Sequence, residues 1–165
     1  AEEGEIRIEI SASQGLIDLP TGTSVLDANG SLDTNPVPPG SGGMLAALML
    51  WRRLVTEGPA ALGGTTYQGT APRDPSQLDP AGRDLVDVLA SAVAGVEARF
   101  SVDASGHVCG IDLWTSPEAD PCEIRILACE AGDAGGALQR LEVHRGPDPF
   151  GTFLIETLEP AGVLP

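Results

Sequence analysis

The strongest constraint on this chain is a series of short alternating segments from about residue 65 onward, each set off from the next by turn residues. In "GVEARFSVD", Val96, Ala98, Phe100 and Val102 alternate with Glu97, Arg99 and Ser101. "HVCGIDLW" puts Cys109, Ile111 and Leu113 on one face, and "CEIRILAC" does the same with Cys122, Ile124 and Ile126. "TTYQG", "DLVDVLA", "LQRLEVHRG" and "FGTFLIETLE" complete the series. A period of two marks a half-buried strand, and "DASG" and "TSPEADP" are turn signals. About seven or eight strands at nearly regular spacing specify an antiparallel meander, in which sequence neighbours are sheet neighbours.

Ahead of the series stands one convincing helix, "MLAALMLWRRLVTEG". Met44, Leu45, Leu48, Trp51, Leu54 and Val55 recur at helical spacing and form a broad apolar face. Gly58 followed by Pro59 is its stop. Before the helix, "EIRIEI" alternates as a strand, with Ile6, Ile8 and Ile10 on one side. Residues 11–43 are rich in Gly, Pro, Ser, Thr and Asn, and "NPVPPGSGG" reads as an exposed connection. The expected organisation is therefore a strand plus connection over 1–43, a helix and antiparallel sheet over 44–158, and a tail over 159–165. The class is mainly β (α+β): a curved meander with the helix packed on its concave face.

Charge narrows the partners. The formal net charge is −15, with no lysine, so a phosphate backbone is repelled and nucleic acid is not expected. The longest apolar run, Met44–Trp51, is far too short to span a bilayer.

Several constellations invite a catalytic or metal reading. "ACEAG" presents Cys129 beside glycine in the manner of a caspase-like nucleophile, with His107 as the base for a cysteine hydrolase. That fold needs a parallel sheet with crossover helices, and the flanking strands leave no room for crossovers. His107, Cys109 and Cys129 lack a fourth metal ligand unless His144 or water supplies it. No metal and no cofactor is expected. "PPGSGG" is glycine-rich like the surroundings of a trypsin-like nucleophile, but no histidine precedes Ser41. Three cysteines allow one disulfide and one free thiol, or three thiols. Cys109 and Cys129 are the pair best placed to face each other, if the hairpin turns near Glu118.

Four segments in order resemble a domain of large bacterial trypsin-like serine proteases, which follows their protease and peptide-binding (PDZ) parts. They are "RRLVTEGPAALGGTTYQGTAP" (52–72), "DLVDVLASAVAGVEARFSVD" (84–103), "SPEADPCEIRIL" (116–127) and "RLEVHRGPDPFGTFLIE" (140–156). In this resemblance Cys122 is the matching cysteine, and "ACEAGDAGGA" (128–137) departs from the pattern. No protease domain is present in the chain, so no catalytic residue carries over. The resemblance implies a non-catalytic accessory domain in a bacterial, extracytoplasmic setting, with an attached protease or another protein as partner.

The strand-rich meander with a covering helix is also similar to lipoprotein-carrier half-barrels, which hold acyl chains in an apolar hollow. On either reading the residues between sheet and helix are Leu48, Trp51, Phe100, Val102, Ile111, Leu113, Ile124 and Ile126. They line a hollow for an apolar small molecule or acyl chain, or they fill a core.

Overall fold

The computed structural model describes residues 6–33, 36–74, 84–128 and 139–155. The alternating series forms one seven-stranded sheet: β4 (Thr66–Pro72), β5 (Leu85–Val93), β6 (Val96–Val102), β7 (Val108–Trp114), β8 (Cys122–Ala128), β9 (Gln139–Arg145) and β10 (Asp148–Ile155). Its spatial order is the order in sequence, and every described pairing is antiparallel. The fold is thus mainly β with an antiparallel meander, as the alternation predicts.

The register aligns the apolar faces across strands. Phe100 stands opposite Leu89 and Ile111, Ile111 opposite Ile124, and Ile124 opposite Val143. The other face is polar. There Arg125 on β8 bonds Asp112 on β7 at 2.7 Å and Glu123 at 3.0 Å. One-sided burial of this kind is ordinary for an antiparallel sheet.

The N-terminal region is more structured than its composition predicts. After β1 (Arg7–Ile10) come β2 (Gln14–Leu19) and β3 (Gly22–Asp27), and the three form a second antiparallel sheet. Ile17 and Leu26 of this sheet are buried in the same hydrophobic cluster as the large sheet and α1 (Met44–Glu57).

This second sheet changes the role of α1. The spacing predicts one apolar face; instead every residue from Met44 to Leu50 is buried. The helix touches β1 and β2 on one side and β7 and β8 on the other. Seven successive residues without a polar side chain, "MLAALML", are the sequence counterpart of a helix buried all round. The C-terminal half is amphipathic, with Leu54 buried and Val55 exposed. No helix among the described residues is long and apolar enough to cross a membrane.

The run read as an exposed connection is instead the seat of this helix. Val37, Pro38 and Ser41 are buried. Ser41 Oγ donates to the Pro38 carbonyl at 2.7 Å and accepts from the amides of Met44 at 3.1 Å and Gly43 at 3.2 Å. It thereby satisfies amides that the first turn leaves without helical partners. Gly43 is required here, because its φ is 114° and an added Cβ would lie 2.9 Å from Leu113 Cδ2.

Ser41→Ala is expected to lower the unfolding free energy by about 1–3 kcal/mol, since buried donors and an acceptor lose their partner. Urea denaturation reads this as a lower midpoint at unchanged slope; a loss under about 0.5 kcal/mol would show that the cap is dispensable.

Candidate functional site

Seven of the eight residues expected between sheet and helix are brought together, as part of a buried cluster. Leu48, Phe100, Ile111, Leu113, Ile124 and Ile126 belong to one buried cluster with Met44, Leu45 and Val143, and Trp51 packs against its edge. Val102 is half-buried and lies outside that cluster. An acyl carrier needs a hollow of several hundred Å³ among such residues. None of the eight lines either of the two hollows described below.

The cysteines and histidines do not assemble into a catalytic or metal centre among the described residues. Cys109 and Cys122 are buried and form no disulfide among the described residues, whereas Cys129, with its nucleophile and disulfide readings, lies outside them. Cys109 was expected on the face of Ile111 and Leu113, but it falls outside the core cluster. The pairing moves from Ser101–Gly110 to Val102–Val108, so Cys109 is the extra residue of a bulge. Its Sγ donates to the Ser101 carbonyl at 3.4 Å. The Arg73 guanidinium pairs with Asp84 at 3.0 Å and Asp103 at 3.5 Å, and it is held above its ordinary pKa chiefly by the neighbouring Cys109 sulfur, against the opposing pull of burial.

His107 is at the end of the β6–β7 turn, with 81% of its side chain exposed. The turn is organised by Asp103, whose Oδ1 accepts from the amides of His107 at 3.0 Å and Ser105 at 2.9 Å. The His107 amide is the main reason that the Asp103 carboxyl sits below its usual range. His144 is on β9 opposite Glu123. No group of three or more His, Cys, Asp or Glu among the described residues could hold a metal ion.

Ser41 is fully buried and engaged in the cap, out of reach of any substrate.

The features that do converge lie around the β5–β6 turn. Val93 pairs with Val96, leaving Ala94 and Gly95 as the two turn residues, with φ of 51° and 87°. Positive φ at both positions matches the twist of a hairpin. Glycine adopts it freely; alanine does so at a cost of about 1–2 kcal/mol. The Ala94 carbonyl is anchored by the Leu32 amide at 2.9 Å and Ser31 Oγ at 3.3 Å. Gly95 is packed as tightly, since an added Cβ would sit 2.9 Å from the Asp33 carboxylate and from Ser31 Oγ. A strained residue held by its surroundings is a marker of function worth following outward.

On the polar face of the sheet, Ala94 borders an open groove of about 640 Å³. Its walls are the β5–β6 turn, Glu97 and Arg99 of β6, Trp114 of β7, and Ser116 and Pro117 beyond it. Trp114 stands opposite Glu97. The Arg99 guanidinium lies 4.7 Å from the centre of the Trp114 ring and bonds Glu97 at 3.1 Å. Cation–π stacking and the ion pair hold a large aromatic side chain in one position at the surface. The groove therefore offers apolar area and fixed polar groups together.

Sequence reasoning passed over Trp114 and Arg99 because both fall on the polar side of their strands. Their meeting depends on the β6–β7 register, and a tryptophan at an outward strand position was the available signal. On the helix side of the same turn, Ala94 borders a second, smaller hollow, with Arg52 and Arg53 in its wall.

Compared with known proteins, the chain matches no protein-family model, no curated protein and no solved structure.

Proposed function

We propose that the chain is a non-catalytic binding module, the role that its resemblance to protease accessory domains implies, and that it holds an extended segment of a partner protein in the Trp114 groove. The observation that carries this reading is the groove itself, about 640 Å³ in volume with Trp114 fixed under Arg99. That volume is in the usual range for a binding site. Tryptophan and arginine are the residues that most often dominate binding energy at protein interfaces. The apolar residues expected between helix and sheet are largely buried and line neither hollow, which supports a binding role at the surface. The core supplies the rigidity that holds Trp114 in place.

A random peptide library displayed on phage tests the reading directly. Peptides captured by the wild-type chain are expected to lose about thirtyfold or more in affinity on Trp114→Ala, as for a central interface residue. Captured peptides that bind both proteins equally would move the site elsewhere. No enrichment over an unrelated acidic protein would remove the reading.

A further inference from the structure

We propose that the hollow beside Arg52 and Arg53 is a carboxylate-binding site. Four parts of the chain close around it: the β1–β2 turn, the residues after β3, the second half of α1, and the β5–β6 turn. Its apolar lining includes Leu32 and Met49, both buried, and the two arginines supply its positive charge.

The two arginines differ in their partners. Arg52 has 29% of its side chain exposed and faces Glu57 at 3.6 Å. Arg53 is half-buried, and among the described residues its side chain makes no ion pair and no hydrogen bond. The chain has 24 acidic residues for nine arginines. Arg53 thus presents a guanidinium that no described carboxylate engages, on a stem that is half-buried. An anion entering the hollow supplies the missing partner.

The enclosed part of the hollow is about 20 Å³. That is room for one small group, somewhat more than a water requires. One carboxylate oxygen fills this space, with the rest of the group at the open mouth, where a carboxylate can meet a guanidinium fork through two parallel hydrogen bonds. The apolar walls lower the local dielectric and strengthen the pair. The rest of the ligand extends outward past Ala94, the residue whose strained backbone separates this hollow from the Trp114 groove.

The inference stands apart from the groove reading, and its test keeps the two distinct. The full chain, labelled with nitrogen-15, is titrated with sodium acetate at constant ionic strength, and with acetamide as the neutral isostere. Saturable shifts are expected at the amides of Leu32, Ala94 and Ser11 with acetate and not with acetamide. Arg53→Gln should weaken acetate binding about tenfold, as for loss of a charge-assisted bond. Arg53→Lys keeps the charge without the fork and should fall between; it also serves if the glutamine variant is poorly folded. Trp114→Ala should leave acetate binding unchanged, even where it abolishes peptide capture.

Equal shifts with acetamide, tighter binding of inorganic phosphate, or unaltered binding by both Arg53 variants would overturn the proposal. The source of the carboxylate is read with two peptides. Tighter binding of Ac-Ala-Ala-Glu-Ala-NH2 than of acetate assigns the site to acidic side chains. Tighter binding of Ac-Ala-Ala-Ala-OH assigns it to chain termini. Weaker binding of both assigns it to free small carboxylates.

Discussion

Phe100→Ala is expected to lower the unfolding free energy by about 3–5 kcal/mol. Phe100 is fully buried on an interior strand of the large sheet, with Leu89 and Ile111 opposite it on the two neighbouring strands. Truncation removes the ring's burial and leaves a cavity that the two flanking strands can close only in part. The total stability of a domain is about 5–15 kcal/mol, so the loss is a large share of it. Thermal unfolding should begin about 10 °C lower or more for a chain of this size.

The experiment also separates a packed interior from a hollow one. In an acyl carrier the ring would border space that is already empty, and the cavity contribution would largely vanish. A loss near 1.5 kcal/mol would then remain, the lower end for simple burial of such a side chain. Val55→Ala, at a site 63% exposed on α1, is the control and should change stability by less than about 0.5 kcal/mol. A Phe100 effect of about 1.5 kcal/mol, clearly above the control, would favour the carrier reading.

Most of the large sheet was legible because its strands alternate over several residues between turn signals. In "GVEARFSVD" and "CEIRI" each inward residue is apolar and each outward one polar, so the face follows from the period. The hairpin of β2 and β3 was not legible in this way. "GLIDL" has two adjacent apolar residues before its aspartate and one after it, and its neighbours are turn-forming residues. What fixes it as a strand is burial of Ile17 against α1, a tertiary contact that no local pattern encodes. Missing that hairpin also hid why the start of α1 has no polar face.

Cys109 illustrates a different limit. Its position in the alternation is inward, and one extra residue in β7 takes it out of the core. A bulge leaves little trace in composition; here a glycine at 110 was the only local cue. The candidate sites depended on register as well. Trp114 and Arg99 meet across strands, and Arg52 and Arg53 meet Ala94 across 40 residues of chain. The residue types were visible from the start, whereas their proximity required the fold.

Cys122 should be the least reactive thiol of the native protein. It is fully buried on the inward face of β8, opposite Leu113. Burial pushes its thiol from 9.0 up to about 12, and the carboxylates of Asp112 and Glu123 push the same way. Only the thiolate attacks an alkylating reagent. At pH 8 the thiolate fraction falls from about one in ten to about one in ten thousand, so labelling should slow about a thousandfold from this cause alone. Iodoacetamide treatment followed by peptide mapping should find Cys122 unmodified in the native chain and modified after denaturation. Rapid native labelling would place Cys122 at the surface and contradict the register of β7 and β8. Denaturation without reductant extends the same measurement to the expected Cys109–Cys129 pair: three labelled cysteines exclude a disulfide, and one supports it.

The raised pKa has a second consequence, whose sign is fixed by linkage. The folded state holds the proton more tightly than the unfolded state does. Stability from this group is therefore complete below pH 9 and is lost as the pH rises toward 12, by about 4 kcal/mol in full. Cys122→Ala lacks the titrating group. The variant should be less stable than the wild type at pH 7, where a buried side chain has been shortened, and should lose less on going to pH 11. Parallel stability profiles for the two proteins across that range would mean that the thiol is solvated in the native state.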